Sequence, residues 1–277
     1  MLKIGEYNTL EVLRDTDPGL FLGGEDVEDI LLPHKYVPEG TEVGDKLEVF
    51  VYTDSEDRII ATTLKPKIIA ESFACLEVIA ISSMGAFFDI GLEKDLLVPH
   101  NEQNAPLKIG DKRIIFMFLD EESDRLVGSM KWRDFCFADE PKFEVNDKVE
   151  IMIGEKTDLG RNVLINNAYY GLVYENEIFE EVNVGDKKEA YIKTMREDGD
   201  IDISLQQLGY MHILSSSDRI LAMLKDNNGV LEIGDKSSPE KIKSITQMSK
   251  KVFKKAIGDL YKKKLVLLDK EQVRLVK

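Results

Sequence analysis

Apolar residues in this chain gather in short runs, and the stretch between residues 73 and 131 shows this most plainly. Residues 73–81, 86–91, 95–99, 112–118 and 125–131 are each of strand length, with Gly, Asp and Pro punctuating the gaps. Five strands in about seventy residues predict a small closed β-barrel, because closure is how short antiparallel strands lose their edges. Alternation sorts the faces of each run, so if Phe88 points into the barrel, Phe87 points out.

The pattern recurs without gaps. Gly44-Asp45-Lys46, Gly110-Asp111-Lys112 and Gly185-Asp186-Lys187 mark one point in three copies, 66 and 75 residues apart. Twenty-five residues before each of these glycines lies another: Gly19, Gly85 and Gly160. Twenty residues after them a strand ends, at Leu64, Met130 and Leu205. First strands coincide at Leu10-Glu11-Val12, Leu76-Glu77-Val78 and Ile151-Met152-Ile153. Fourth strands are expected at 46–52 and 187–193, and fifth strands at 58–64 and 200–206, in the outer copies. The reading is a mainly β chain of three tandem five-stranded OB-fold barrels at 1–65, 66–138 and 139–209, with a separate unit at 210–277. Between the second and third copies, residues 131–138 carry Trp132, Phe135 and Phe137. These rings suit packing between barrels better than a stacking platform, because aromatics in connectors usually bury themselves.

After Leu208 the period changes. Residues 218–225 read as a helix capped by Ser215, Ser216 or Ser217, and 229–234 as a short strand between glycines. Ser238-Pro239-Glu240 opens a second helix and residues 249–264 form a third. Residues 264–268 and 273–277 flank a polar turn and predict a hairpin. Helix, strand, helix, helix, hairpin is the order of a winged helix-turn-helix. At 100° per residue, Val252, Phe253, Ala256, Ile257 and Leu260 of the third helix share an arc of about 140°. Lys250, Lys251, Lys254, Lys255 and Lys262 occupy the opposite side. Such a face is either a solvated charged surface or a phosphate-binding one; its single sign favours the latter, giving affinity rather than base readout.

Charge sharpens the contrast. The chain has a net charge of −15, yet residues 236–277 carry 13 Lys/Arg against 4 Asp/Glu. The barrels are therefore strongly acidic, and the cationic end is the polyanion-facing one. No apolar run approaches the roughly 18 residues of a membrane span and no secretion signal is expected at the N-terminus, so the expectation is a cytoplasmic protein. Cys75 and Cys136 are expected as buried thiols. His34, His100 and His212 lack metal-site spacing, and no nucleophile–base set or phosphate loop is visible, so neither catalysis nor a cofactor is expected.

Gly85-Ala86-Phe87-Phe88-Asp89-Ile90-Gly91 resembles the signature strand of the RNA-binding domain of ribosomal protein S-one. Gly171-Leu172-Val173-Tyr174 and Ile201-Asp202-Ile203-Ser204-Leu205 resemble that family's third and last strands. Three such barrels followed by a winged helix resemble the bacterial conserved virulence factor B family. Residues 248–261, with their paired lysines, are the most specific part of that match. The resemblance implies single-stranded RNA as ligand, bases stacked on barrel aromatics, and post-transcriptional control that includes virulence genes.

It also implies a set of contacts. Phe21 matches Phe87 in register, while the third copy has Asn162 there. Stacking and inter-domain packing both stay open for the two phenylalanines. Tyr174 falls where the family's third strand carries a histidine; Pro33 and Pro99 hold that place in the other copies, with His34 and His100 one step later as turn residues. Asp54 with Arg58, and Asp120 with Arg125, resemble the family's acid–arginine pair at the last hairpin, the plain alternative being a surface ion pair. Lys193 completes the barrel candidates. The expectation is a non-catalytic binder of single-stranded RNA in which the third barrel and the lysine helix form one continuous site, with the ribosome or another translation component as a further partner. The alternatives are a DNA-binding transcription regulator acting through the winged helix, and a ribosome- or protein-docking scaffold.

Overall fold

The computed structural model describes residues 2–24, 27–137, 142–178, 180–196, 199–207 and 216–276. The first barrel comprises β1 (Tyr7–Thr16), β2 (Gly19–Gly24), β3 (Val27–Pro33), β4 (Lys46–Thr53) and β5 (Ile59–Thr62). The second comprises β6 (Ser72–Ile81), β7 (Gly85–Phe88), β8 (Leu96–Pro99), β9 (Lys112–Asp120) and β10 (Arg125–Ser129). The third comprises β11 (Lys148–Lys156), β12 (Gly160–Ile165), β13 (Tyr169–Tyr174), β14 (Lys187–Met195) and β15 (Ile201–Ser204). In each, the first strand pairs antiparallel with the second and the fourth, and the third runs parallel to the fifth, so the sheet closes. The expected alternation holds: Leu22 and Phe88 are fully buried, while Phe21 and Phe87 are partly exposed on the outside.

Two local devices explain the threefold register. A Cβ on Gly19, Gly85 or Gly160 would lie 2.1, 2.2 or 2.0 Å from the carbonyl oxygen of Leu32, Val98 or Val173, so the third strand crosses where no side chain fits. Gly44, Gly110 and Gly185 take φ values of 98°, 89° and 90°. Their N–H groups donate to the carbonyls of Val12, Val78 and Ile153 at 2.8, 2.8 and 2.7 Å. The aspartate that follows each glycine accepts from the N–H three residues before it, at 2.8, 3.0 and 2.8 Å. That turn pins the loop leading into the fourth strand onto the first strand.

The first two barrels share a core. Phe50, Tyr52 and Ile60 of the first pack in one buried cluster with Ile68, Leu76 and Met117 of the second. Around that cluster, Asp57 pairs with Arg125, Lys94 lies 3.6 Å from Asp57, and Lys35 pairs with Glu93. Arg125 holds the Asp57 carboxyl below its usual range, and Lys35 does the same for Glu93. A carboxylate depressed in the folded state adds stability above its ordinary pKa of about 4 and loses it as pH falls through the lowered value. Acidification from neutrality to pH 3 should therefore lower the thermal midpoint of this barrel pair. Arg125→Ala should flatten that pH dependence; an unchanged profile would mean the Asp57 pair is not coupled to folding.

The second and third barrels meet through the aromatic connector, which is a packed element. Trp132 is 2% exposed and clusters with Ile114 and Phe116 on one side and Met152 and Leu164 on the other. The Phe116 and Phe135 rings stack 4.2 Å apart, and Trp132 lies 5.2 Å from Tyr170. Cys75 and Cys136 are free and half-buried rather than fully interior, and burial raises both thiols, Cys136 to about 12.

The C-terminal unit comprises α1 (Ser216–Asp226), β16 (Val230–Leu231), α2 (Pro239–Thr246), α3 (Lys250–Lys262), β17 (Val266–Leu268) and β18 (Val273–Leu275), with sheet order β16-β18-β17. Ser238 and Ser249 cap α2 and α3 by accepting from the N–H of Lys241 and Val252. Gln247 turns left-handed between them, at φ 58°. The core, including Ile220, Leu224, Ile242, Phe253 and Ile257, contains only residues of this unit. Two expectations need correction. The strand expected at 229–234 shortens to Val230–Leu231, with Gly234 instead packed against the backbone of Asp269 and Lys270. Val252, assigned to the apolar arc, is 42% exposed, because Phe253, Ala256, Ile257 and Leu260 alone fill the core side. Ser215 and His212 lie outside the described residues. Among the described residues no helix is long and apolar enough to cross a membrane.

Candidate nucleic-acid interface

The barrel aromatics sit in three different settings. Phe21 lies on β2 opposite Arg14, where a bulge in β1 shifts the register, and the Arg14 guanidinium covers its ring at 4.3 Å. Arg14 is held in turn by Asp29 at 2.9 Å. Phe87 lies opposite Ala80 and Leu97, with no cation over it among the described residues. At the matching place in β12, the Asn162 amide donates to Glu155 at 3.2 Å. Asn162 Oδ1 and Glu155 Oε1 are buried without a hydrogen-bond partner.

Tyr174 is half-buried at the end of β13, and the structure brings Lys193 to it. The Lys193 ammonium lies 5.3 Å from the Tyr174 ring centroid and pairs with Glu177. Arg196, which sequence reasoning missed, donates to the Tyr174 hydroxyl at 2.8 Å and to Asp202 at 2.6 and 2.9 Å. A bulge between Ile192 and Thr194 sets the register that allows this. Tyr174 is thus held by contacts within its own barrel.

The arginine candidates are largely engaged. Arg58 pairs with Asp54 at 2.7 Å, as its spacing predicts, and also with Glu56 at 3.1 Å. The expected Asp120–Arg125 pair does not form. Asp120 instead accepts from the Ser123 N–H and hydroxyl, while Arg125 reaches across to Asp57 of the first barrel. The reason is docking: the hairpin of the first barrel delivers a carboxylate to Arg125 from another part of the chain. His34 is a turn residue, its Nε2 2.8 Å from the Thr16 carbonyl oxygen.

The lysines of α3 divide into two groups. Lys250 donates to the Ser237 carbonyl at 2.8 Å, and Lys254 lies 2.8 Å from Asp235, whose carboxyl it holds below the usual range. Lys251, Lys255 and Lys262 are exposed and have no ion-pair partner among the described residues. The third barrel and this unit touch through a hydrogen bond from Gln206 Nε2 to Gln247 Oε1, at 3.4 Å. Their buried cores are separate.

Comparison with known proteins agrees with this architecture. An S1 domain model matches residues 4–64 and 72–131, and a CvfB-like winged helix domain model matches residues 218–275. These domain types point to nucleic-acid binding. The protein YitL of Bacillus subtilis strain 168, described as uncharacterized, is 30% identical, covering 94% of this chain and 90% of its own. Conserved virulence factor B of Staphylococcus epidermidis ATCC 12228 is 27% identical over 99% of this chain and 95% of its own. Its Staphylococcus aureus RF122 counterpart is 25% identical over 99% and 94%. A crystal structure of a multidomain protein with nucleic acid binding domains from Streptococcus pneumoniae TIGR4 aligns over 99% of this chain and 98% of that one, with 24% identity and a TM-score of 0.45, too low to carry site residues across. With matched domains at both ends and relatives aligned over nearly their whole length, this chain belongs to the conserved virulence factor B family.

Proposed function

We propose that this protein captures single-stranded RNA on the C-terminal unit, through phosphate contacts from α3, and acts by binding rather than catalysis. The observation that carries this reading is the unpaired, one-signed surface of Lys251, Lys255 and Lys262, whereas the barrel candidates Arg58, Arg125 and Lys193 are each matched to a carboxylate. A cation already paired inside the protein gains less from a phosphate than a free one does. The Tyr174, Lys193 and Arg196 cluster supplies a secondary face on the third barrel. Post-transcriptional regulation, extending to virulence genes, is the role that fits this binding mode and the names borne by the relatives. The exposed face of α3 offers Lys251, Val252, Lys254, Lys255 and Asp259 but no Arg, Asn or Gln, the side chains that read base edges with most geometric selectivity. That disfavours sequence-specific duplex DNA as the ligand. Titration of the full chain with single-stranded RNA and with duplex DNA, at equal salt, tests the assignment. Tighter binding of the RNA is expected, and a strong duplex preference would overturn it.

A further inference from the structure

Beside the lysines lies a groove between the last turn of α3 and the edge strand β17. Its volume is about 520 Å³, and it is lined by Tyr261, Lys262, Lys264, Val266, Leu267 and Val276. Val266 is buried and forms the floor, whereas Tyr261, Leu267 and Val276 are 56%, 58% and 44% exposed. The Tyr261 ring has no aromatic or cationic partner among the described residues, unlike Tyr174. The wing is held in place: the Val276 N–H donates to the Leu265 carbonyl at 3.0 Å, and Leu267 sits opposite Arg274. Lys264 takes the left-handed position that ends α3, at φ 59°. The Lys264 N–H bonds to Tyr261 O at 2.9 Å and the Leu265 N–H to Leu260 O at 3.0 Å. Glycine is the usual residue at that position, and a lysine there is strained.

We infer that this groove is a base-stacking subsite for single-stranded RNA, with an unstacked base on the Tyr261 ring and the adjoining phosphates on Lys262 and Lys264. The inference rests on the RNA reading above and adds a ring beside the α3 lysines. An aromatic face beside cations is what sequence-tolerant single-strand binding requires. Self-association through the same strip is disfavoured, because a two-fold contact would set Lys262 and Lys264 near their own copies.

The test compares an RNA oligomer with an abasic oligomer of the same length and charge, on the wild-type full chain, Tyr261→Phe and Tyr261→Ala. Tyr261→Ala should weaken RNA binding about ten-fold and leave abasic binding unchanged, while Tyr261→Phe keeps wild-type affinity. Tyr261 is exposed, so its thermal midpoint should not move. Equal losses on both oligomers, or no loss on either while wild type binds both, would overturn the subsite alone. A wild-type chain that binds neither would overturn the RNA reading and the subsite with it. Binding of polyglutamate that Tyr261→Ala abolishes, with RNA unaffected, would assign the groove to an acidic protein and overturn the inference.

Discussion

Changing Lys251, Lys255 and Lys262 together to alanine should weaken single-stranded RNA binding roughly 10- to 100-fold near physiological salt and flatten its salt dependence. Each phosphate contact on a single strand contributes about 0.7 to the slope of log affinity against log salt, so losing three removes about two. Folding should not suffer. All three side chains lie on the exposed side of α3, opposite Phe253, Ala256, Ile257 and Leu260, and alanine is the best helix former. Lys254→Ala should cost less than any of the three, because Asp235 already neutralises that ammonium. Lys250→Ala should also cost less, since its ammonium is engaged by the Ser237 carbonyl. A triple variant with the wild-type salt slope would show that phosphates do not sit on this helix face. The RNA would then have to be held by the barrels.

How much of this was legible in the sequence depends on whether the cause is local. Phe87 and Phe88 separate to surface and core by strand alternation alone, and the two sets of glycines mark themselves because each answers a backbone need within its own barrel. A third conserved geometry is hidden for the same physical reason in reverse. Gly5, Glu71 and Asn146 all take positive φ and donate to the fourth strand at Val51, Met117 and Ile192, yet three different residues fill the role. Ser238 and Ser249 cap their helices locally, because a hydroxyl reaches only its own helix, whereas Ser216 and Ser217, expected as caps, fall inside α1.

The site was less legible because its contacts cross elements. Nothing near Arg125 announces Asp57, which arrives from the neighbouring barrel, so spacing favoured the wrong carboxylate. Arg196 reaches Tyr174 through a bulge that leaves no mark in the residue pattern. The lysine face was periodic and so visible, but its division into engaged and free cations depends on Asp235 and on the Ser237 carbonyl, both in the segment before α2. Nothing in the sequence sets Tyr261 apart; it becomes one wall of a groove only because the fold lays the wing beside it.

Trp132→Ala should be among the most damaging single changes in the barrels, costing about 3–5 kcal/mol, because a large, buried ring leaves a cavity its neighbours cannot fill. The loss falls on a junction. Trp132 joins Ile114 and Phe116 of the second barrel to Met152 and Leu164 of the third. Beside it, Arg133 covers the Tyr170 ring at 4.5 Å and pairs with Asp200 at 2.7 Å. Calorimetry should therefore show the third barrel melting apart from and below the second, where wild type melts them together; Trp132→Phe should recover part of the coupling. Because Trp132 is the only tryptophan in the chain, its fluorescence in wild type reports this junction directly. The C-terminal core contains none of these residues. Below its melting range the alanine variant should still hold single-stranded RNA on the α3 lysines with wild-type affinity. If RNA binding falls in step with the junction while the C-terminal unit stays folded, the RNA depends on how the second and third barrels are set against each other, and the lysine helix is not its principal site.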